Sequence, residues 1–221
     1  MGVVDPTLKQ ERALHRGGVK YVIGCDEVGR GAIAGPVAVG LCVVDARTKA
    51  FPKGLRDSKM LSEKHRELLA PLSRNWSLHS AVGLATPREI DRLGLSIALG
   101  LAGKRALAAL VDAGVTLEDS VVLLDGSYDY LNPVLATRVR LHTRVKADQE
   151  CASVAAASVI AKVHRDHLMI EADATTPGYL WSENKGYGSV AHFAAIAQWG
   201  ATDFHRRSWL RQPELAQSVL L

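Results

Sequence analysis

The sequence predicts one α/β domain with a mixed sheet, and three observations predict it. Two strand-type runs, "YVIGCDE" and "PVAVGLCVVDA", lie so close together that no crossover helix fits between them, so the strands they form pair antiparallel. A fully apolar run, "SVVLLDG", follows a long helical pattern, as a buried central parallel strand does. The stretch "CASVAAASVIAKVHRDHLMIEA" reads as a helix rich in Ala and Ser, whose small face allows close backbone packing on a sheet.

The elements follow in order. Residues 6 to 15 form a short leading helix, and Gly17-Gly18 break it before the first strand. That strand is expected to end at Asp26, with Gly29 and Gly31 turning the chain so that Glu27 swings to the same side as Asp26. The second strand starts after Pro36. A loop leads to a helix over 63–74 capped by Ser62, and "WSLHSAVGLA" supplies a third strand. "TPREI" opens a short helix: Thr86 caps it, Pro87 suits its first position and Glu89 completes a capping box, with Gly94 closing it. A longer helix covers 96–112, with Ile97, Leu101 and Leu107 among its apolar positions. "SVVLLDG" ends in Asp125, and "RVRLHTRVKAD" is a further strand running into Asp148. A helix over 191–198 sits between two polar, glycine-containing loops.

Of the 221 residues, 48% are hydrophobic, enough to bury a core, and the net charge of +4 suits a polyanionic partner as well as an ordinary basic enzyme. The three cysteines are widely spaced in apolar runs, which suggests neither a disulfide framework nor a zinc site. With no signal-peptide core at the start and no apolar run of about 18 residues, a cytoplasmic protein is expected.

The acids carry the chemistry. Asp26 and Glu27 adjoin a glycine turn, Asp125 ends a strand and Asp148 lies between a strand and a helix, so all four can meet at one edge of the sheet. Taken alone, Asp125 or Asp148 reads as a turn or cap residue; the side-by-side pair next to glycines is harder to dismiss. Two such charges about 4 Å apart repel by roughly 1 kcal/mol in water and roughly 4 kcal/mol at an effective dielectric near 20. Protonation or bound cations must relieve that repulsion. All-oxygen ligands favour Mg²⁺ or Mn²⁺ over Zn²⁺, and two such ions about 3.5–4 Å apart serve phosphodiester cleavage. Asp166 reads as a helix-surface charge paired with Arg165 or Lys162.

A dinucleotide-binding reading of "GRGAIAG" fails because Pro36 begins a second strand where a helix is required. A phosphate-binding P-loop fails for want of Gly-Lys-Ser/Thr. A non-catalytic RNA–DNA hybrid-binding module is the alternative from another class, but it needs no four acids facing a phosphate backbone.

The segments "DEVGRGAIAGPV", "DSKMLS", "LLDG", "KAD", "SVAAASVIAKVHRD" and "NKGYGS", in this order from about Tyr21 to Trp209, resemble the bacterial type 2 ribonuclease H family, ribonuclease HII. The resemblance implies the ribonuclease H fold, a five-stranded mixed sheet flanked by helices. It implies a catalytic core over about 19–170 and a C-terminal helical segment over about 171–221 that completes the substrate groove. It makes Asp26, Glu27, Asp125 and Asp148 the metal-binding catalytic acids, with two Mg²⁺ or Mn²⁺ ions in the catalytic complex. The implied reaction hydrolyses the RNA strand of RNA–DNA hybrids and nicks duplex DNA 5′ of an embedded ribonucleotide, leaving 5′-phosphate and 3′-hydroxyl ends. That activity serves ribonucleotide excision repair and RNA primer removal. Gly29, Arg30 and Gly31 approach the ribose 2′-hydroxyl, the group that distinguishes RNA from DNA, and Tyr187 packs on the neighbouring deoxynucleotide sugar.

Ser58, Lys59, Lys146, Lys162 and Lys185 are further candidates for phosphate contact, each also readable as plain surface. His205 and Arg206 read as substrate-approaching groups or as a polar cap on the final helix. Ile33 and Ala147 stand where the family pattern leads us to expect Leu and Gly. The tail "QPELAQSVLL" lacks the paired aromatics of a sliding-clamp motif, and a monomer suffices for the activity.

Overall fold

The computed structural model describes residues 5–210. The clamp-motif reading of the tail therefore falls outside the described residues. Five strands form one sheet: β1 (Tyr21–Val28), β2 (Val37–Val44), β3 (His79–Ala85), β4 (Ser120–Asp125) and β5 (Leu141–Arg144). Their order is β3-β2-β1-β4-β5, with β1, β2 and β3 antiparallel and β1, β4 and β5 parallel. This is the mixed α/β sheet that the sequence predicts. Helix α1 (Lys9–Arg16) leads the chain, followed in order by α2 (Glu63–Trp76), α3 (Pro87–Leu93), α4 (Leu95–Asp112), α5 (Ala147–Glu150), α6 (Ala152–Thr175), α7 (Trp181–Asn184) and α8 (Val190–Trp199).

Two faces of the sheet are covered differently. On one, Ile23, Cys25, Val39 and Leu41 pack against Ala98, Ala102, Ala106 and Leu107 of α4. The buried stripe of α4 is thus built from Ala, Leu and Gly, and Ile97 is 46% exposed. On the other, α6 lies almost backbone to backbone on the strands. A Cβ on Gly24 would sit 2.2 Å from the Ser153 carbonyl carbon, and one on Gly40 would sit 2.5 Å from the Ala157 oxygen. Glycine on the strands and Ala and Ser on the helix are the sequence cause of that close approach.

The expected caps are present. Ser62 Oγ accepts from His65 N at the start of α2, and Thr86 and Glu89 form a reciprocal capping box on α3. All three cysteines are buried and free. Among the described residues, no helix is long and apolar enough to cross a membrane.

Three expectations need correction, and one element was not expected. β1 does not end at Asp26 but runs to Val28, with Asp26 opposite Gly40 and Glu27 opposite Val39, because the β2 partner continues to Ala38. The strand read over 138–148 shrinks to Leu141–Arg144; the chain then turns at Lys146, whose φ of 61° is left-handed, into the single turn α5 that carries Asp148. Asp166 is not a surface charge. It is buried and paired with Lys162 at 2.6 Å and Arg66 at 3.9 Å, while Arg165 points elsewhere. The short helix α7, introduced by Leu180 in a left-handed conformation, had no signal in the apolar pattern.

Candidate active site

Because β1 continues through the acid pair, its two side chains leave on opposite faces. Asp26 shares its face with Gly24 and lies toward α6; Glu27 shares its face with Cys25 and lies toward the α4 side, where its Oε2 accepts from Tyr130 Oη at 3.5 Å. The other two acids come from the neighbouring parallel strand and the turn beyond β5. Asp125 ends β4, and its Oδ1 accepts from Ala147 N at 2.7 Å and from Asp148 N at 3.4 Å. This bond locks the carboxylate of one strand end to the first turn of α5 and thereby sets where Asp148 stands.

Three of the four acids are shifted by burial and by neighbouring charges. Burial raises the Asp26 carboxyl well above its ordinary range, and the Glu27 and Asp125 charges add to it, while the Ser158 hydroxyl opposes. Burial also raises Glu27, against the Arg30 guanidinium that lies 3.3 Å from its Oε1. Asp148 is pushed up to about 6 by burial, then by the Asp125 and Asp57 charges. Such a field holds protons or attracts cations. Lys59 already answers it: its Nζ lies 3.6 Å from Asp148 Oδ2, and although burial alone would lower its pKa, the Asp26, Asp57, Asp148 and Asp125 charges raise it.

Asp57 is a fifth acid that the sequence reading missed. It is 3% exposed, and its Oδ1 accepts from Lys59 N, capping the 3₁₀ turn Ser58–Met60. Its only sequence signal was its place in "DSK", which drew attention to the two residues after it. Ser58 itself is buried and faces inward, its Oγ 2.8 Å from Ser158 Oγ. Lys146 is exposed on the left-handed turn before α5. Lys162 is held by Asp166, and Lys185 by Glu63 at 3.4 Å and by the Ser182 carbonyl.

The connection from β1 to β2 is built from behind by two buried arginines. Arg206 donates to the carbonyls of Gly29 at 2.7 Å, Arg30 at 3.0 Å and Gly35 at 3.1 Å. Arg165 donates to Pro36 O at 2.8 Å, Ala34 O at 3.1 Å and Lys185 O at 2.8 Å. Neither guanidinium is matched by a carboxylate among these bonds; both spend their donors on main-chain oxygens. Gly29 has φ +83° and no room for a side chain, since a Cβ there would lie 2.1 Å from Arg165 Nε. Glycine is required both by backbone angle and by the arginine behind it.

Tyr187 stands beside this turn. Its ring is 39% exposed, lies 5.7 Å from the Arg165 guanidinium carbon, and comes within 4.0 Å of where a Cβ on Gly31 would be. Arg30 is exposed at the tip of the turn. His205 and Arg206, read from sequence as substrate-approaching groups or as a polar cap, are buried: Arg206 bonds the β1–β2 connection, and His205 lies between Thr202 N and His192 Nε2.

The donor set is all oxygen, with Asp26, Glu27 and Asp148 each raised in part by the Asp125 charge, and so fits hard divalent cations. Among the described residues, however, no three His, Cys, Asp or Glu side chains converge as a ready-made metal cage. That combination suits Mg²⁺-like ions, which keep waters and complete their shell with substrate phosphate oxygens.

Known proteins align with this arrangement. The family model for Ribonuclease HII matches residues 23–212. A Ribonuclease HII of Streptomyces avermitilis is 45% identical over 213 residues, covering 96% of this chain and 87% of that protein. Among solved structures, the ribonuclease HII in a PCNA:RNase HII complex from Archaeoglobus fulgidus superposes with a TM-score of 0.68 at 25% identity, covering 88% of this chain and 98% of that one. Bst-RNase HIII, solved in complex with Mn²⁺, gives a TM-score of 0.65 at 27% identity over 85% of this chain and 65% of that one. A five-stranded ribonuclease H-like sheet, a family match spanning nearly all described residues and a relative 45% identical over 96% of the chain together mean that this chain belongs to the ribonuclease HII family of RNA-hydrolysing nucleases.

Proposed function

We propose that the protein cleaves the RNA strand of RNA–DNA hybrids endonucleolytically and nicks duplex DNA on the 5′ side of an embedded ribonucleotide, leaving 5′-phosphate and 3′-hydroxyl ends. The observation that carries this reading is the joining of two functions in one stretch: Asp26 and Glu27 at the end of β1 continue directly into a glycine turn that Arg206 and Arg165 hold rigid beside Tyr187. Asp26, Glu27, Asp125 and Asp148 would hold the cations. Bound there, two Mg²⁺ or Mn²⁺ ions would supply Lewis-acid chemistry for hydrolysis of the phosphodiester.

The chain's own groups do the rest. Backbone groups of Gly29, Arg30 and Gly31 approach the ribose 2′-hydroxyl, which is both donor and acceptor and absent from DNA. Tyr187 packs its exposed ring on the adjoining deoxynucleotide sugar, so that the scissile bond is the one at an RNA–DNA junction. Lys59 and Lys146 offer charge to the phosphates, while Ser58, whose side chain faces inward, has its main chain to offer. Lys59 also balances the acids before substrate arrives. The segment from about residue 171 onward carries Tyr187, His205 and Arg206 and forms one wall of the groove over a core of about 19–170. We assign the activity to ribonucleotide excision repair and RNA primer removal, by a monomer in the cytoplasm.

The test is cleavage of labelled duplex DNA containing one ribonucleotide, with Mg²⁺ or Mn²⁺, beside an all-DNA duplex. A nick 5′ of the ribonucleotide and none in the control supports the reading. Binding of the duplex without cleavage under either ion would replace it with the non-catalytic binding module.

A further inference from the structure

Behind Tyr187 lies a buried chain of polar groups that the proposed chemistry does not use. His192 on α8 and His205 in the loop beyond it are 0% and 1% exposed, and their Nε2 atoms are 3.1 Å apart. Trp181, Tyr179 and Phe204 wall the pair in, with the Tyr179 and His205 ring centres 4.8 Å apart and those of Trp181 and Phe204 5.0 Å apart.

The direction of every hydrogen bond in the chain follows from its end groups. The backbone N–H of Thr202 can only donate, so His205 Nδ1, 3.0 Å away, accepts, and the Thr202 hydroxyl, 2.9 Å from the same nitrogen, is then a second donor to it. A neutral His205 then carries its proton on Nε2 and donates it to His192 Nε2. Trp181 Nε1–H donates to that same His192 nitrogen at 3.0 Å, so His192 keeps its own proton on Nδ1. From Nδ1 it donates to the Tyr187 carbonyl at 2.9 Å, an oxygen that also accepts from Ser189 N. Each neutral ring thus has a single tautomer that satisfies both ends. Burial lowers both imidazoles, with His205 drawn down to about 4, in keeping with two neutral rings.

We propose that His192 is a positioning residue for substrate recognition: its Nδ1–H anchors the Tyr187 carbonyl and thereby aims the Tyr187 ring at the sugar, while His205 and Trp181 at its other nitrogen select the tautomer that does so. The proposal rests on the recognition role given to Tyr187 above. It gives the segment 204–206 a double function. Arg206 holds the glycine turn, Gly35 N donates to Phe204 O at 2.8 Å, and His205, one residue away, selects the His192 tautomer that holds Tyr187. The two recognition elements therefore share one brace and keep a constant separation.

The two nitrogens of His192 can be tested apart. His192→Asn places an amide N–H where Nδ1–H stood and keeps the bond to Tyr187, leaving Trp181 and His205 without their acceptor. His192→Gln places its amide near Nε2 and abandons Tyr187. A purely structural role makes Asn at least as harmful as Gln, whereas positioning makes Gln the worse for catalysis.

Steady-state kcat and KM on duplex DNA with one ribonucleotide, measured with thermal unfolding for each variant, should show kcat/KM within about threefold of wild type for His192→Asn and about tenfold lower for His192→Gln. The His192→Gln loss should fall in the same parameter as that of Tyr187→Ala. Long-range ¹⁵N–¹H spectra of labelled histidine should show the Nδ1–H form for His192 and the Nε2–H form for His205. Losses that track stability in both variants, or the opposite tautomers, would overturn the proposal. An impaired Tyr187→Ala beside an unimpaired His192→Gln leaves recognition by Tyr187 standing and overturns the relay alone. An unchanged Tyr187→Ala removes Tyr187 from recognition and takes the proposal with it.

Discussion

The Arg206 guanidinium donates to the Gly29 carbonyl at 2.7 Å across 177 positions of sequence, and this bond ties the end of the chain to the turn that leaves the active-site strand. Its other bonds, to Arg30 and Gly35, make it the main internal support of that turn. Arg206→Lys keeps a cation but cannot reach three carbonyls with one ammonium. Leaving buried carbonyls unpaired costs about 1–3 kcal/mol each. We expect a clear drop in unfolding midpoint and a fall in turnover of at least tenfold, on the order of 1.4 kcal/mol in barrier. Thermal melts and single-turnover cleavage test this; wild-type values in both would deny the bond its importance.

Gly29→Ala adds a Cβ at φ +83°, 2.1 Å from Arg165 Nε. The left-handed backbone alone costs about 1–2 kcal/mol for an L-residue. Gly54→Ala is the control, because Gly54 has φ +84° and nothing within 4 Å of the added carbon. Denaturant unfolding should show the larger loss for Gly29→Ala, with activity lost only there. Equal losses would mean that Arg165 yields and the turn tolerates a side chain.

Asp125→Asn keeps an oxygen able to accept from Ala147 N, so the chain should fold as wild type. Its charge is gone, however, and with it one of the groups that raise Asp148. We expect turnover to fall by about 100-fold or more, as for loss of a metal-supporting group. Mn²⁺ should raise the unfolding midpoint of the wild type, since a ligand of the folded state stabilises it, and raise that of the variant less. An unreduced Mn²⁺ response with near-normal turnover would remove Asp125 from the metal site.

Stability should depend on pH through His205. Burial, with His192 beside it and more weakly Arg207, draws its imidazole from 6.5 down to about 4. The unfolded chain therefore takes up a proton at a pH where the folded chain does not. Stability present above pH 6.5 is lost progressively as the pH falls toward about 4. His205→Gln cannot titrate and should flatten that part of the wild-type curve. Unfolding at pH 7.5 and at pH 5 for both proteins is the measurement, and identical slopes would rule His205 out as the source.

What short-range chemistry decides could be read directly from the residues. The capping box of Thr86 and Glu89, the Ser62 cap, the apolar run ending in Asp125 and the small-residue face of α6 are each local, and each formed where its residues stand. The carboxylates were legible too, because charges beside glycines and at strand ends are conspicuous against an apolar background. Tertiary structure alone decided which face of β1 each acid leaves from, since that depends on how far β2 continues to pair with it. It also decided that Asp166 is buried, that Asp57 joins the acids, and that Arg165, His192, His205 and Arg206 brace the recognition loops. The physical reason is the nature of those contacts. The two arginines donate to main-chain carbonyls, which every residue carries alike, and Arg206 reaches Gly29 across 177 positions, so no side-chain pattern marks the partner until the chain has folded.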